Sequence, residues 1–93
     1  MNQDAEPSAI DRLTAGIEPA PARAILTRCL SGTLSPAVTL NDLLAETGDP
    51  VVVRAAVDEV TRRAATLSRA TDSLLRDRVD DLTQLVIERG PAA

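Results

Sequence analysis

Three carboxylates, Asp77, Asp80 and Asp81, fall within five residues, and the i, i+4 spacing of Asp77 and Asp81 puts that pair on one face of any helix they occupy. Oxygen ligands grouped in this way are what Mg²⁺ or Ca²⁺ requires. A hydrolytic enzyme built on the same three would need a pocket in which they converge. Arg76 and Arg78 flank the group, and no second acidic cluster of matching type occurs to complete a coordination shell. The expected outcome is a solvated surface, so no metal, cofactor or catalytic residue is assigned. Cys29 is the one thiol. It falls among Ile25, Leu26 and Leu30, where it reads as a small core residue, buried and unreactive.

The absences exclude more. There is no Phe, Tyr, Trp, His or Lys among the 93 residues. Without His nothing titrates near neutrality, and without Lys no amine nucleophile exists, so most acid–base, covalent and zinc chemistry is closed. The chain is not expected to be an enzyme. Ten basic residues, every one Arg, face fourteen acidic ones, for a net charge of −4. That balance disfavours a polyanionic partner. Arg without Lys, beside abundant Ala, Asp and Val, points to a GC-rich bacterial genome.

At 44% apolar and 26% charged residues the composition is that of a folded globular protein. The length predicts one helical domain over 1–93, with flexible tails at 1–7 and 90–93. The first eleven residues carry no basic and apolar leader pattern. No apolar run approaches the roughly 20 residues that span a bilayer. A cytoplasmic location without membrane contact is expected.

Proline and glycine punctuate the first half, at Pro7, Gly16, Pro19, Pro21, Gly32, Pro36, Gly48 and Pro50, and then stop until Gly90 and Pro91. Ser8 is a candidate cap for a short helix with Ile10 and Leu13, ended by Gly16. Pro21 suits the first turn of a second helix, where Ala22, Ile25, Leu26, Cys29 and Leu30 follow the i, i+3, i+4, i+7, i+8 stripe of a buried face and Gly32 closes it. Ser35 and Pro36 open a third, with Ala37, Leu40, Leu43 and Leu44 inward and Gly48 at its end. Asp49 and Pro50 repeat the device for the fourth.

From Pro50 to Arg89 no breaker intervenes. Val53, Val57, Val60, Ala64, Leu67, Thr71, Leu75, Val79, Leu82 and Val86 keep one sector at a step of three or four. Unbroken phase predicts one long helix at 50–89, about 60 Å at 1.5 Å per residue. The rival is a break near Thr71, where Thr71, Asp72 and Ser73 are all good caps. The fold class is therefore all-α: three short helices followed by one long, or broken, C-terminal helix in a small bundle.

Arg54, Asp58, Arg62, Arg69, Asp72, Arg76 and Asp80 form a second stripe about 120° from the apolar one. Its signs alternate at i, i+4, which predicts a solvated, salt-bridged face and not a ladder for phosphates. The stretch Cys29–Leu44, CLSGTLSPAVTLNDLL, resembles a helix-turn-helix. Its recognition helix would carry Asp42 and Glu46 and no cation, so nucleic-acid binding through 22–47 is the alternative and not the favoured reading. Leu43–Ala56, LLAETGDPVVVRAA, resembles a HEAT-repeat junction. Val53 and Arg54 stand one residue later than in that pattern and no second copy follows, which leaves a helix start that any bundle could use.

Three helices of about 15 Å cannot cover a 60 Å one. Leu74, Leu75, Val79, Leu82, Leu85 and Val86 would then stay in water, at roughly 2 kcal/mol for each large aliphatic side chain. A helical homodimer sealed by those six residues is expected, acting as a small adaptor, accessory or regulatory protein that binds another protein.

Overall fold

Two helix starts here, those at Pro36 and Pro50, follow from a capping side chain placed just before a proline. The computed structural model describes residues 9–68 and 72–89. The expected tails at 1–7 and 90–93, the expected cap Ser8, and Arg69 and Thr71 lie outside them. Five helices result: α1 (Ala9–Thr14), α2 (Ala20–Leu30), α3 (Pro36–Thr47), α4 (Pro50–Ala64) and α5 (Ser73–Arg89). Among the described residues there is no strand, and no helix is long and apolar enough to cross a membrane.

Ser35 Oγ accepts from Val38 N at 3.2 Å and Asp49 Oδ1 from Val51 N at 2.9 Å, with Pro36 and Pro50 first in their helices. Each cap satisfies one of the four N–H groups that a helix start leaves without a partner. α2 begins without a side-chain cap; Pro19 O takes Ala22 N and Arg23 N instead. Gly48 ends α3 at φ 64, its N–H on Leu44 O at 2.8 Å. That left-handed turn is why glycine stands there.

The expected stripe of α2 is buried at every position. Leu40 and Leu43 of α3 are buried too, whereas Ala37 and Leu44 are half-buried and Thr39, which the pattern did not place inside, is fully enclosed. The core is aliphatic throughout, with Ile17 added from the α1–α2 turn.

The long helix at 50–89 does not form. α4 stops at Ala64, where Ala65 N, Thr66 N and Leu67 N turn back to Arg62 O, Arg63 O and Ala64 O, the i→i+3 bonds that tighten a last turn. The hydroxyl of Thr66 donates to Arg63 O at 2.8 Å, offering that carbonyl a partner other than a continuing helix. Asp72 O accepts Arg76 N at 2.9 Å, which opens α5. Continuous phase misled because Ala64 and Leu75 are eleven residues apart, about three full turns, so two separate stripes keep a common register across the gap.

α5 folds back along α4. Thr61 Oγ1 and Thr83 Oγ1 are 2.6 Å apart and Arg76 Nη1 donates to Ala64 O at 2.6 Å, so numbers rise on one helix as they fall on the other. α3 packs against both members of this hairpin and against α2, while α1 closes on α2 and α4. The Cα radius of gyration, 12.9 Å, is that of a compact domain of this length, about 13 Å for 100 residues.

The reversal is directly testable. In a Cys29→Ala background, Thr61→Cys with Thr83→Cys should oxidise to an intramolecular disulfide that migrates faster on a non-reducing gel. One continuous helix would hold the two positions about 33 Å apart at 1.5 Å per residue, giving only intermolecular product.

Candidate functional site

The fold-back removes the premise of the expected interface. Val79, Leu82 and Val86 are 1–2% exposed, sealed in the chain's own core. Leu75 and Leu85 are half-buried against that core, and of the six only Leu74, at 61%, remains in water. These six do not form one free face. The uncovered half-helix that called for a homodimer is covered by α3 and α4.

The arginines are distributed otherwise than their spacing suggested. Arg54 does pair with Asp58, at 3.6 Å in solvent, a contact worth about 0.3–0.5 kcal/mol at most. Arg62 turns to Glu59 and not to Asp58. Arg76, expected in the solvated stripe beside Asp80, is half-buried and donates to Ala64 O at the end of α4. Arg78 donates to Leu30 O at 2.8 Å, at the end of α2. Arg63, held by Glu59 at 2.9 Å, sends Nη1 to Arg12 O, Leu13 O and Ala15 O at 3.1, 3.2 and 2.7 Å, at the end of α1. Three guanidinium groups thus donate to carbonyls at three helix ends, where positive charge also meets the negative pole of the helix dipole. Contacts spanning 12 to about 50 residues have no periodic signature. The one available hint was that every cation is Arg, the side chain whose fork of donors suits clustered carbonyls.

With Arg76 and Arg78 turned away, the carboxylates they were expected to neutralise stand alone. Asp77, Asp80 and Asp81 are exposed on the outer face of α5, none of them in an ion pair within the described residues. No group of three metal-ligating side chains forms among those residues.

Cys29 is 2% exposed, as its place in the stripe required. Burial pushes its thiol above the ordinary range; a hydrogen bond with Thr39 and the charge of Arg78 oppose that shift, and Asp81 adds to it.

Open grooves lie among the described residues. One, of about 350 Å³, runs between the α1–α2 turn and α4, with Ile17, Val52, Ala55 and Ala56 along it. Another, about 570 Å³, lies between α1 and α2, where Arg23 and Arg28 face Asp11. A third, about 340 Å³, lies between α3 and α5, with Pro36, Ala37 and Leu85 as its floor and Asp81, Gln84 and Glu88 at its rim. In none do the α5 carboxylates converge on a nucleophile or on one another, which an enclosed catalytic pocket would need.

Two measurements check these assignments. Gly32 (φ 89) and Gly48 (φ 64) are both left-handed, but a Cβ on Gly32 would lie 2.8 Å from Arg78 Nη2, and one on Gly48 would meet nothing within 4 Å. Gly48→Ala should therefore cost about 1–2 kcal/mol of urea-unfolding free energy, and Gly32→Ala about 1 kcal/mol more, because Arg78 must leave Leu30 O. The thiol gives a pH test. A raised folded pKa contributes stability that is complete below the unfolded value, about 8.5, and is lost as pH rises through the folded one. With no His, Lys or Tyr, nothing but Cys29 and the α-amino group titrates across that window. Wild type should lose unfolding free energy as pH rises above about 8.5, while Cys29→Ala, weaker at pH 7 from lost packing, holds level.

Comparison with protein families, characterised proteins and solved structures finds no match to this chain.

Proposed function

We propose that this chain is a non-enzymatic helical module that acts by binding another protein, as a small adaptor, accessory or regulatory subunit. The observation that carries the reading is where its charges go. Three of the arginines that could serve a phosphate or a developing negative charge are engaged at helix ends, while the carboxylates of α5 face water without a cation. Two of the open grooves have apolar residues along them, and Val38, Val51, Leu74 and Ile87 are themselves 44–71% exposed. Grooves of this shape suit side-chain anchors from a protein partner. Because α5 is covered within the chain, the reading needs no second copy.

The DNA-binding alternative through 22–47 lacks what it requires. α2 and α3 do pack as two helices joined by a short turn, but α3 presents Asn41, Asp42 and Glu46 and contains no Arg. Phosphate contacts are what give affinity and salt dependence.

Two experiments test the reading. Random duplex DNA at low salt should not shift at micromolar protein; tight, salt-sensitive binding would replace this reading with the regulator. A photo-crosslinking residue placed at Val51, Leu74 or Gln84 in the native host should give a discrete protein adduct from at least one position. Absence of an adduct at all three overturns it.

A further inference from the structure

We infer that the α3–α5 groove docks an amphipathic, basic helix of the partner. This rests on the protein-binding reading above and names the surface and its ligand's chemistry. The floor is made by Pro36, Ala37 and Leu85, each half-buried, so apolar surface stays wet there in the free chain. At about 340 Å³ the groove is at the low end of the 300–1,000 Å³ typical of small-molecule sites and is open along its length. That shape accepts the aliphatic anchors of a helix, presented at i, i+3, i+4 and i+7.

The rim decides the sign of the partner. Asp81 and Glu88 border the floor, Asp77 continues the same face of α5 one turn earlier, and Glu88 accepts from Gln84 Nε2 at 3.1 Å. The cation nearest in sequence to Asp81 on that face, Arg78, is engaged at Leu30 O. The opposite wall is the start of α3, where a helix dipole would ordinarily favour an anion. Here little of that potential is free: Pro36 has no N–H, Val38 N is capped by Ser35 Oγ, and Thr39 N donates to Ser35 O, which leaves Ala37 N alone. Carboxylates therefore dominate the groove, and the net charge of −4 steers a cationic partner toward it.

The probe is a capped synthetic helix of about 18 residues, five turns, with Leu at i, i+3, i+4 and i+7 and Lys on the flanks, beside a twin in which every Lys is Glu. Amide shifts in ¹⁵N-labelled protein should move at 35–38 and 81–88 with the Lys peptide and saturate, and should not move with the Glu peptide. Asp81→Asn with Glu88→Gln should weaken binding about fivefold, as expected for two exposed ion pairs. Ala37→Glu, a substitution compatible with a helix start, should abolish it by filling the floor, with circular dichroism unchanged. No saturable binding at millimolar peptide, or equal binding of the Glu peptide, overturns the inference. Saturable shifts elsewhere on the surface remove this groove and leave the protein-binding reading standing. Shifts at 35–38 and 81–88 that grow with protein concentration alone assign the groove to a second copy and overturn it as well.

Discussion

Every short helix that ends inside a small domain leaves carbonyls without an intrahelical partner, and in this chain arginine side chains reach three of those ends from other helices. α1 is the clearest case. Six residues cannot hold a helix by propensity, because nucleation is costly and propagation has barely begun. Arg63 reaches from α4 to three of its terminal carbonyls, and Glu59 fixes that guanidinium from the other side. The same device places α5: Arg78 ties it to the end of α2 and Arg76 to the end of α4, so two bonds from neighbouring turns set both its position and its direction. α3 ends on the backbone turn of Gly48.

An aliphatic core makes such ties matter. Without aromatic rings the interior is built from Leu, Val, Ile, Ala and Cys, residues that pack well but offer no polar handle to register one helix against another. Hydroxyl pairs do that instead. Thr61 meets Thr83 between α4 and α5, Thr27 meets Thr14 between α2 and α1, and Thr39 meets the thiol of Cys29 between α3 and α2. Most of these threonines also donate to a carbonyl one turn earlier, so their burial leaves no hydroxyl unsatisfied.

Local signals were legible and distant ones were not. Ser35–Pro36, Asp49–Pro50 and Gly48 act within a turn of themselves, so α3 and the start of α4 could be read residue by residue, as could the buried face of α2. The end of α4 could not be read from phase, since periodicity reports which side of a helix is apolar and says nothing about whether the helix continues. The capping residues Thr71, Asp72 and Ser73 were the better signal. Arg63, Arg76 and Arg78 were illegible for a different reason: an arginine meant for a carbonyl 12 to about 50 residues away looks, in sequence, like any other surface charge. Arg76 and Arg78 read as neighbours of the α5 carboxylates, yet they donate to Ala64 O and Leu30 O.

The fold-back moves the proposed binding surface to the other side of α5. An interface on the apolar stripe would have been obligate, since Val79, Leu82 and Val86 could not be left in water. With the stripe consumed by α3 and α4, the proposed partner would meet the polar face of α5, where Asp81 and Glu88 border a narrow apolar floor. Contacts of that kind draw on long-range attraction for encounter and on a few buried anchors for lifetime, and exposed ion pairs add little to either once salt screens them. An association built this way is reversible and sensitive to ionic strength.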